Sequence, residues 1–317
     1  MVRIERNWDG LLPAISKIWD LGLPKKVAIV TDRPDAVEVW DLLNSNSWEI
    51  SILPIVNTKD IDVFVELLKS FYEAGLQRDS LVFAFGGGGV SDVAGFAASV
   101  YMRGIDYVNL PTTLLAQADA GLGGKTGIDF LGTKNLIGNF HQPRLVYSNV
   151  DVLKTLSQKD FISGLAEVIK YGIIRDRGLL DYLCANKSAV LARDADVLTH
   201  ILQVSCNIKL EIVAQDEREA GLRQLLNFGH TFGHAIESFL NFSFPHGHCV
   251  ALGMVCALDY SVKYLGLPRK DADFAVELIE SFGLPTKIDE HYAPEQIYGL
   301  MLGDKKVRRG ELRIICT

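Results

Sequence analysis

Residues 81–92 read Leu81-Val82-Phe83-Ala84-Phe85-Gly86-Gly87-Gly88-Gly89-Val90-Ser91-Asp92. The apolar run at 81–85 predicts a buried strand, and the glycines lead into a helix predicted to begin near Ser91. Glycines let a backbone approach a ligand closely, and the N–H groups at a helix start favour an anion. The match to G-x-G-x-x-G is partial, because Ser91 takes the third glycine position. A dinucleotide phosphate site and a plain tight turn, with Asp92 as a helix cap, both remain open.

The segments around this stretch alternate between the same two patterns. Short β-branched runs at 27–30, 50–55 and 106–110 predict further strands, and apolar residues at helical spacing run through 63–71. Strands that alternate with helices are typical of a parallel sheet covered on both faces. Residues 1–150 are therefore predicted to form a Rossmann-like α/β nucleotide-binding domain.

Residues 151–317 have a different character. From 159 onward, apolar residues recur at spacings of three and four, as in Leu165, Val168 and Ile169. Strand-like runs are scarce until 312–315. The second half is therefore predicted to be an all-α domain.

Composition narrows the functional classes. Of the 317 residues, 48% are apolar and 22% are charged, which is typical of a globular protein. The net charge of -7 argues against a nucleic-acid-binding surface but allows a local basic pocket. The N-terminus lacks the apolar core of a signal peptide, and no apolar run reaches membrane-spanning length. The 5 cysteines have no C-x-x-C spacing and indicate reduced thiols, so a cytoplasmic enzyme is predicted.

A histidine cluster is the least random feature of the sequence. Four of the 7 histidines are His230, His234, His246 and His248. On a helix, His230 and His234 would share one face, since they are four residues apart. Two imidazoles with a carboxylate from elsewhere suit a Zn²⁺ site with an open position. Metal binding or acid–base work is therefore favoured over an ordinary core or surface role.

The carboxylate is not settled by local spacing. Glu237 falls near the same helix face as His230, but Glu167 is the better candidate because it lies among apolar residues with Lys170 one turn later. A glutamate and a lysine are costly to bury without partners, and a metal and an anionic substrate would supply them. A salt-bridged pair at a helix edge remains the alternative.

Between Asp119 and Asn135, glycines alternate with Lys125, Asp129 and Lys134. This composition predicts a flexible loop able to surround an oxyanion or a polyol, although an ordinary surface loop has the same composition.

The order of the motifs resembles the 3-dehydroquinate synthase family. The matching blocks run in family order from about residue 80: Gly87-Gly88 with Asp92-Val93-Ala94-Gly95-Phe96, Tyr101-Met102-Arg103-Gly104, Pro111-Thr112-Thr113-Leu114-Leu115-Ala116-Gln117, Gly123-Gly124-Lys125-Thr126-Gly127, Lys134-Asn135-Leu136-Ile137-Gly138, Leu165-Ala166-Glu167-Val168-Ile169-Lys170-Tyr171-Gly172, Asn227-Phe228-Gly229-His230-Thr231-Phe232-Gly233-His234, His246-Gly247 and Asp304-Lys305-Lys306.

The resemblance implies a fold and a reaction. The expected architecture is an NAD-binding α/β domain followed by a helical metal domain, usually in a homodimer. The expected reaction converts 3-deoxy-D-arabino-heptulosonate 7-phosphate into 3-dehydroquinate and phosphate, with catalytic NAD and Zn²⁺ or Co²⁺, in the shikimate pathway. The chain would thus be a lyase that closes a carbocycle without net oxidation.

The resemblance also implies roles for individual residues. The metal ligands would be Glu167, His230 and His246, which moves His234 from the metal to the substrate. The residues expected around the carbocycle are Asp119, Lys125, Lys170, Arg223, Asn227 and His234. The expected phosphate contacts are Asn135, Lys305 or Lys306, and Arg103 from a neighbouring subunit. The expected NAD contacts are Asp32, Gly87, Gly88, Asp92, Thr112, Thr113, Lys125, Lys134 and Thr155.

Three departures from the family pattern leave alternatives open. His248 stands where the family usually has Glu, Asp129 where it usually has Asn, and 56–59 where it usually has Gly-Glu-x-x-Lys. A cyclase of sedoheptulose 7-phosphate is the closest alternative, because some of those enzymes also have His at the position of His248. Metal-dependent polyol dehydrogenases are a second alternative. Retention of Lys170, Arg223, Asn227 and His234 favours a carboxylated substrate.

Overall fold

The computed structural model describes residues 1–19, 26–33, 37–44, 48–56, 59–287, 294–302 and 313–317. The chain divides into two compact units, Met1–Leu156 and Ser157–Thr317. The assignment of NAD binding to residues 1–150 and of metal and substrate binding to residues 151–317 stays a prediction.

The first unit is built on a six-stranded sheet in the order β1-β8-β5-β4-β2-β3. Every paired strand in it runs parallel to its neighbour. The strands are β1 (Val2–Glu5), β2 (Lys26–Thr31), β3 (Glu49–Pro54), β4 (Leu81–Gly86), β5 (Asp106–Pro111) and β8 (Leu145–Asn149). The helices are α1 (Leu11–Ile18), α2 (Val37–Asn44), α3 (Ile61–Glu73) and α4 (Gly88–Val100). The predicted α/β fold with a parallel sheet is confirmed.

Apolar clusters lie on both faces of this sheet. Alternate residues of β4 enter different clusters: Val82 and Ala84 pack with side chains of α3 and α4, and Phe83 and Phe85 with side chains of α1 and α2. All of β4 is buried. A central parallel strand covered on both sides has no polar face, which explains why residues 81–85 are apolar without alternation.

Two local predictions were wrong. Helix α4 begins at Gly88, inside the glycine run, instead of near Ser91. The turn is so tight that a Cβ on Gly86 would lie 2.5 Å from Val90 Cγ2, so glycine permits the early start. The segment predicted as a loop contains a π-helical turn, Ala116–Ala120, and an antiparallel hairpin of β6 (Lys125–Phe130) and β7 (Thr133–Phe140).

The described elements of the second unit are helical. They are α5 (Gln158–Ile174), α6 (Arg177–Ala185), α7 (Lys187–Leu191), α8 (Ala195–Gln215), α9 (His230–Phe239), α10 (His246–Tyr264), α11 (Arg269–Ser281) and α12 (Pro294–Leu302). The strand-like run at 312–315 forms no strand within the described residues 313–317. This agrees with the predicted all-α half.

Helix α8 differs from one expectation. By length and composition it is apolar enough to cross a membrane, although no such segment was predicted. Half of its apolar window is buried inside the protein, and a single helix of this kind is weak evidence for a membrane span, because core helices pass the same test.

The backbones of α9 and α10 are in close contact where glycines face each other. A Cβ added to Gly253 of α10 would lie 1.9 Å from the Gly229 carbonyl oxygen and 2.7 Å from the Gly233 nitrogen. The obstacle is backbone, so a side chain at this position would force the helices apart.

We therefore expect Gly253→Ala to lower the free energy of unfolding by about 1–3 kcal/mol, the range found for overpacked cores. Urea denaturation measures the change. Gly299→Ala on α12 is the control, because a Cβ there meets no atom within 4 Å. Equal stability of the two variants would contradict the close crossing.

Candidate functional site

The carboxyl ends of β2, β4 and β5 meet at one edge of the sheet. Gly86 pairs with Pro111 in register, and the Thr112 N–H donates to the Gly86 carbonyl over 2.9 Å. Asp32 follows β2 directly, and its Oδ1 has no hydrogen-bond partner among the described residues. A Cβ on Gly86 would lie 2.8 Å from that oxygen. This carboxylate stands where a parallel α/β sheet presents an acid to a nucleotide ribose.

The start of α4 forms a narrow backbone cradle. Its N-cap is Gly87, and no side chain of the described residues caps the first turn. A Cβ on Gly87 would lie 3.3 Å from Thr113 Cγ2, and one on Gly88 would lie 3.0 Å from Ala120 Cβ. Uncapped N–H groups at a helix start that a ligand can approach closely are suited to a phosphate. Asp92 lies inside the helix, so the cap interpretation of Asp92 was wrong.

A polar network joins two residues that the sequence placed in different roles. Lys59 Nζ lies 2.8 Å from Asp92 Oδ2 and 2.5 Å from Asn135 Oδ1. Asn135 adopts a left-handed backbone with φ 49, and its N–H donates to Asp129 Oδ1 over 2.7 Å. Asp129 of β6 therefore binds the backbone of β7 at Asn135. An asparagine, the usual family residue, has an oxygen that accepts the same bond.

The other expected residues of the first unit occupy varied positions. Asp119 lies on the π-helical turn, an irregularity frequent at functional sites, and is half-buried. Lys125 begins β6 and Lys134 lies on β7. Arg103 is exposed with a left-handed φ of 72. Thr155 is exposed and its hydroxyl donates to the Val152 carbonyl. Lys305 and Lys306 lie outside the described residues.

In the second unit, three side chains from three helices converge. His230 Nε2 lies 3.3 Å from Glu167 Oε1, and His246 Nε2 lies 3.6 Å from the same oxygen. Glycine allows this approach: a Cβ on Gly247 would lie 1.9 Å from the Ser163 carbonyl oxygen, so α10 begins directly against α5. The Gly247 N–H also donates to Ser163 Oγ over 3.0 Å.

These separations suit a metal ion. Bonds of about 2.1 Å in a tetrahedral Zn²⁺ shell place neighbouring ligand atoms roughly 3.4 Å apart. The two observed separations are 3.3 and 3.6 Å, and the donor set of two imidazoles and a carboxylate is one that Zn²⁺ and Co²⁺ accept. Glu167 is 0% exposed, so its charge needs compensation inside the protein.

His234 lies beside the cluster, whereas His248 lies apart from it. His230, His234 and His246 bring ring nitrogens within 4.8 Å of one another, so His234 borders the cluster and could reach a metal. Its ring lies edge-on to His230 at 5.3 Å. His248 packs edge-on against Phe244 at 5.5 Å and is not in this group of described residues.

The charges of the cluster are strongly coupled. Burial would raise the pKa of Glu167, but Lys170, His230 and His246 hold it well below its ordinary value. Burial lowers the pKa of His230, against the opposing effect of Glu167. Burial would also lower the pKa of His246, but its bonds to Glu167 and Glu237 raise it to about 9. The groups around Glu167 therefore keep its carboxyl group ionised despite its complete burial.

Lys170 forms an ion pair with Glu167 through Oε2, the oxygen opposite the histidines. Both side chains are almost completely inaccessible, and Lys170 also lies over the Tyr171 ring at 5.1 Å. The alternative prediction of a salt-bridged pair at a helix edge was thus correct that Glu167 and Lys170 pair. It was wrong about the helix edge, because both side chains are buried. A buried pair of this kind is costly and favours a functional role.

Arg223 and Asn227 lie on a 3₁₀ segment, Leu222–Asn227, that packs against α5 and α8. Arg223 is 1% exposed and donates to the Glu217 carbonyl, and Asn227 donates to Glu219 Oε1. Asp216 holds the preceding loop by accepting N–H groups of Ala220, Gly221 and Arg223 at 2.8, 2.7 and 3.0 Å. These bonds keep the pKa of Asp216 below 3.8.

Because the folded-state pKa of Asp216 is lowered, its contribution to stability is fully present above about pH 4. It is lost as the pH falls through the folded-state pKa. We expect Asp216→Asn to melt below the wild type at pH 6, with the difference shrinking towards pH 3. Thermal unfolding across this range checks it. A constant difference at every pH would contradict the role of the charge.

Sequence reasoning did not find the environments of three charged residues. Lys209 on α8 is 6% exposed, and the signal was a lysine within an apolar helical pattern. Lys59 was read only as part of a degraded motif. Glu237 was considered as a metal ligand, but its Oε2 lies 3.5 Å from Nδ1 of His246, the nitrogen that faces away from Glu167. No local pattern could have revealed that contact, because the two residues lie on different helices.

Comparison with known proteins covers both units. A family model described as 3-dehydroquinate synthase N-terminal matches residues 50–163, and one described as 3-dehydroquinate synthase C-terminal matches residues 164–307. A 3-dehydroquinate synthase of Acidithiobacillus ferrooxidans is 42% identical over 311 residues, which are 96% of this chain and 83% of that protein.

Solved structures of other synthases share the fold of this chain. A 2-epi-5-epi-valiolone synthase from Streptomyces hygroscopicus with NAD⁺ and Zn²⁺ bound has a TM-score of 0.89 and 25% identity, covering 99% of this chain and 88% of that one. A 2-deoxy-scyllo-inosose synthase complexed with carbaglucose-6-phosphate, NAD⁺ and Co²⁺ has a TM-score of 0.84 and covers 98% and 86%. At 22% identity the second shows the fold alone. With both family models matched along the chain, the protein belongs to the 3-dehydroquinate synthase family.

Proposed function

We propose that this protein is the NAD- and metal-dependent enzyme that converts 3-deoxy-D-arabino-heptulosonate 7-phosphate into 3-dehydroquinate and phosphate. The observation that carries the proposal is the buried cluster of Glu167, His230 and His246, spaced for a metal ion in a chain of this family. The structural relative at 25% identity, solved with NAD⁺ and Zn²⁺, supports the same cofactors here. When bound, NAD supplies a reversible hydride acceptor and the metal a Lewis acid for the substrate hydroxyl.

The first unit would bind the dinucleotide. Asp32 Oδ1, which is buried and has no hydrogen-bond partner among the described residues, would accept from the ribose, and the N–H groups at Gly87 and Gly88 would bind the phosphates. The Thr113 side chain and the Thr112 backbone N–H border the same turn, and Lys59 forms an ion pair with Asp92. Roles for Lys125, Lys134 and Thr155 in this site remain proposals from the family motif.

The second unit would hold the metal and the reacting carbons. Glu167, His230 and His246 would supply the ligands. The carbonyl of Phe228 accepts from His230 Nδ1 over 3.1 Å, which leaves Nε2 facing the cluster. His234 borders the cluster and is placed to carry a proton to or from the substrate. The cations of Lys170 and Arg223 and the amide of Asn227 would orient the carboxylate and hydroxyls of the sugar acid. Roles for Asp119 and Lys125 at the carbocycle, and for Asn135 and Lys305 or Lys306 at the phosphate, remain proposals from the family motif.

Phosphate release from the purified protein tests the proposal. The heptulosonate phosphate, NAD⁺ and Zn²⁺ are supplied, with sedoheptulose 7-phosphate in a parallel arm. We expect phosphate and 3-dehydroquinate from the first substrate, without accumulation of NADH. Stoichiometric NADH without phosphate would identify a polyol dehydrogenase, and turnover of sedoheptulose 7-phosphate alone would identify the other cyclase.

We also propose a homodimer in which Arg103 reaches the phosphate in the partner's site. Its support is the exposed position of Arg103 on a left-handed turn. Arg103→Ala removes the proposed phosphate contact to the partner's site, and His246→Ala removes a proposed metal ligand from its own site. If Arg103 acts across the interface, unfolding and refolding an equal mixture of the two variants restores activity to about a quarter of the wild type. Half of the dimers then contain one variant of each kind, and each of these has one intact site of two. Absence of complementation in a confirmed dimer would refute the shared site.

A cytoplasmic location is proposed on the cysteines. All five lie in described segments and are free thiols. Unpaired cysteines are typical of reducing compartments. Cell fractionation with an antibody against the chain tests the location, and recovery in an oxidising compartment would contradict it.

A further inference from the structure

His246 lies between two buried carboxylates that come from different helices. Its Nε2 faces Glu167 of α5 at 3.6 Å, and its Nδ1 faces Oε2 of Glu237 of α9 at 3.5 Å. Glu237 is 3% exposed. Each ring nitrogen therefore has a carboxylate of its own, and only one side of the ring faces the cluster with His230.

The chemistry of a carboxylate determines which nitrogen carries the proton. An ionised carboxylate only accepts hydrogen bonds, so Nδ1 of His246 must donate to Glu237. When the imidazole is neutral, this leaves the lone pair on Nε2, the nitrogen that points into the cluster. His230 reaches the same tautomer by another route, since its Nδ1 donates to the Phe228 carbonyl over 3.1 Å. A backbone group orients one histidine and a side chain orients the other.

We propose that Glu237 is a positioning residue for the metal site, which fixes the tautomer and the ring orientation of His246 without binding the metal. The inference rests on the proposed function, because it requires His246 to be a metal ligand. Ligand histidines generally donate their second N–H to an acceptor of this kind, which orients the ring and makes the ligating nitrogen more basic.

The contact between Glu237 and His246 couples the positions of α9 and α10. Glu237 lies on α9, the helix that carries His230, and contacts a ligand at the start of α10. The two helices cross in close contact at Gly229, Gly233 and Gly253. Displacement of α9 would therefore move one proposed ligand and the orienting group of another together. A purely structural ion pair between the helices would affect stability and leave the metal affinity of a folded protein unchanged.

The test measures metal affinity apart from activity. Zn²⁺ and Co²⁺ dissociation constants are determined by chelator competition for the wild type, Glu237→Ala and Glu237→Gln, with circular dichroism to confirm folding. The Co²⁺ visible spectrum reports the ligand geometry. Glu277→Ala is the matched control, since Glu277 is an exposed glutamate on α11 of the same unit.

We expect Glu237→Ala to bind both metals about 10–100-fold more weakly and to alter the Co²⁺ spectrum. Glu237→Gln keeps an acceptor oxygen without the charge, so its loss should be smaller, and Glu277→Ala should match the wild type. Unchanged affinity and spectrum in both Glu237 variants of a metal-binding protein would overturn this inference alone. A wild-type protein that binds neither metal would overturn the proposed metal site and this inference with it.

Discussion

His246→Ala is expected to lose its bound metal and nearly all turnover. The substitution removes one of the three proposed protein ligands and the partner that Glu167 and Glu237 share. Metal binding should weaken by at least about 100-fold, more than for an orienting residue. Turnover should fall about 1000-fold or more, since the metal supplies several kcal/mol of charge stabilisation.

Metal analysis after dialysis and steady-state kinetics measure the two losses. His200→Ala is the control, because His200 is an exposed histidine on α8 of the same unit that packs on Tyr182 at 4.2 Å. Normal activity of the wild type after exhaustive metal removal would refute the role of the cluster, as would stoichiometric metal in His246→Ala.

Lys170→Met is expected to destabilise the metal-free protein by about 3–5 kcal/mol, because it leaves a buried carboxylate without its ammonium partner. Glu167 and Lys170 form an i,i+3 pair with side chains 0% and 1% exposed. Lys170 is also a proposed substrate contact, so turnover should be lost as well. Urea denaturation of the metal-free protein measures the stability.

The chain offers a matched control for this prediction. Lys69 and Glu66 form an i,i+3 pair with the same spacing, 2.5 Å apart, but with side chains 60% and 68% exposed. Lys69→Met should change stability by less than about 1 kcal/mol, since exposed ion pairs contribute little. The double variant Glu167→Gln with Lys170→Met should recover part of the loss, because no buried charge is then left unpaired. Equal effects at Lys69 and Lys170 would contradict the account.

Several features could be predicted from local sequence because their causes are local. The continuous apolar run before Gly86 predicted a strand covered on both faces, and the four-residue spacing of His230 and His234 predicted a shared helix face. The helix start was misplaced at Ser91 because the propensity of glycine argues against helix. Tertiary packing at Gly86 and Gly88 overrode it. The hairpin of β6 and β7 was missed because its glycines and charged residues also suit a loop.

The sequence by itself determined the fold class, the family and the two histidines of one helix, because periodicity and motif order are properties of the chain. Only the tertiary structure decided that Glu167 faces both histidines, that Lys170 is buried with it, and that Glu237 contacts His246. Spacing along a helix reports which residues share its face, but not which helix packs against that face. Here the close backbone contacts at Gly247 and Gly253 determine that packing, so the histidine cluster becomes a site only when α5, α9 and α10 meet.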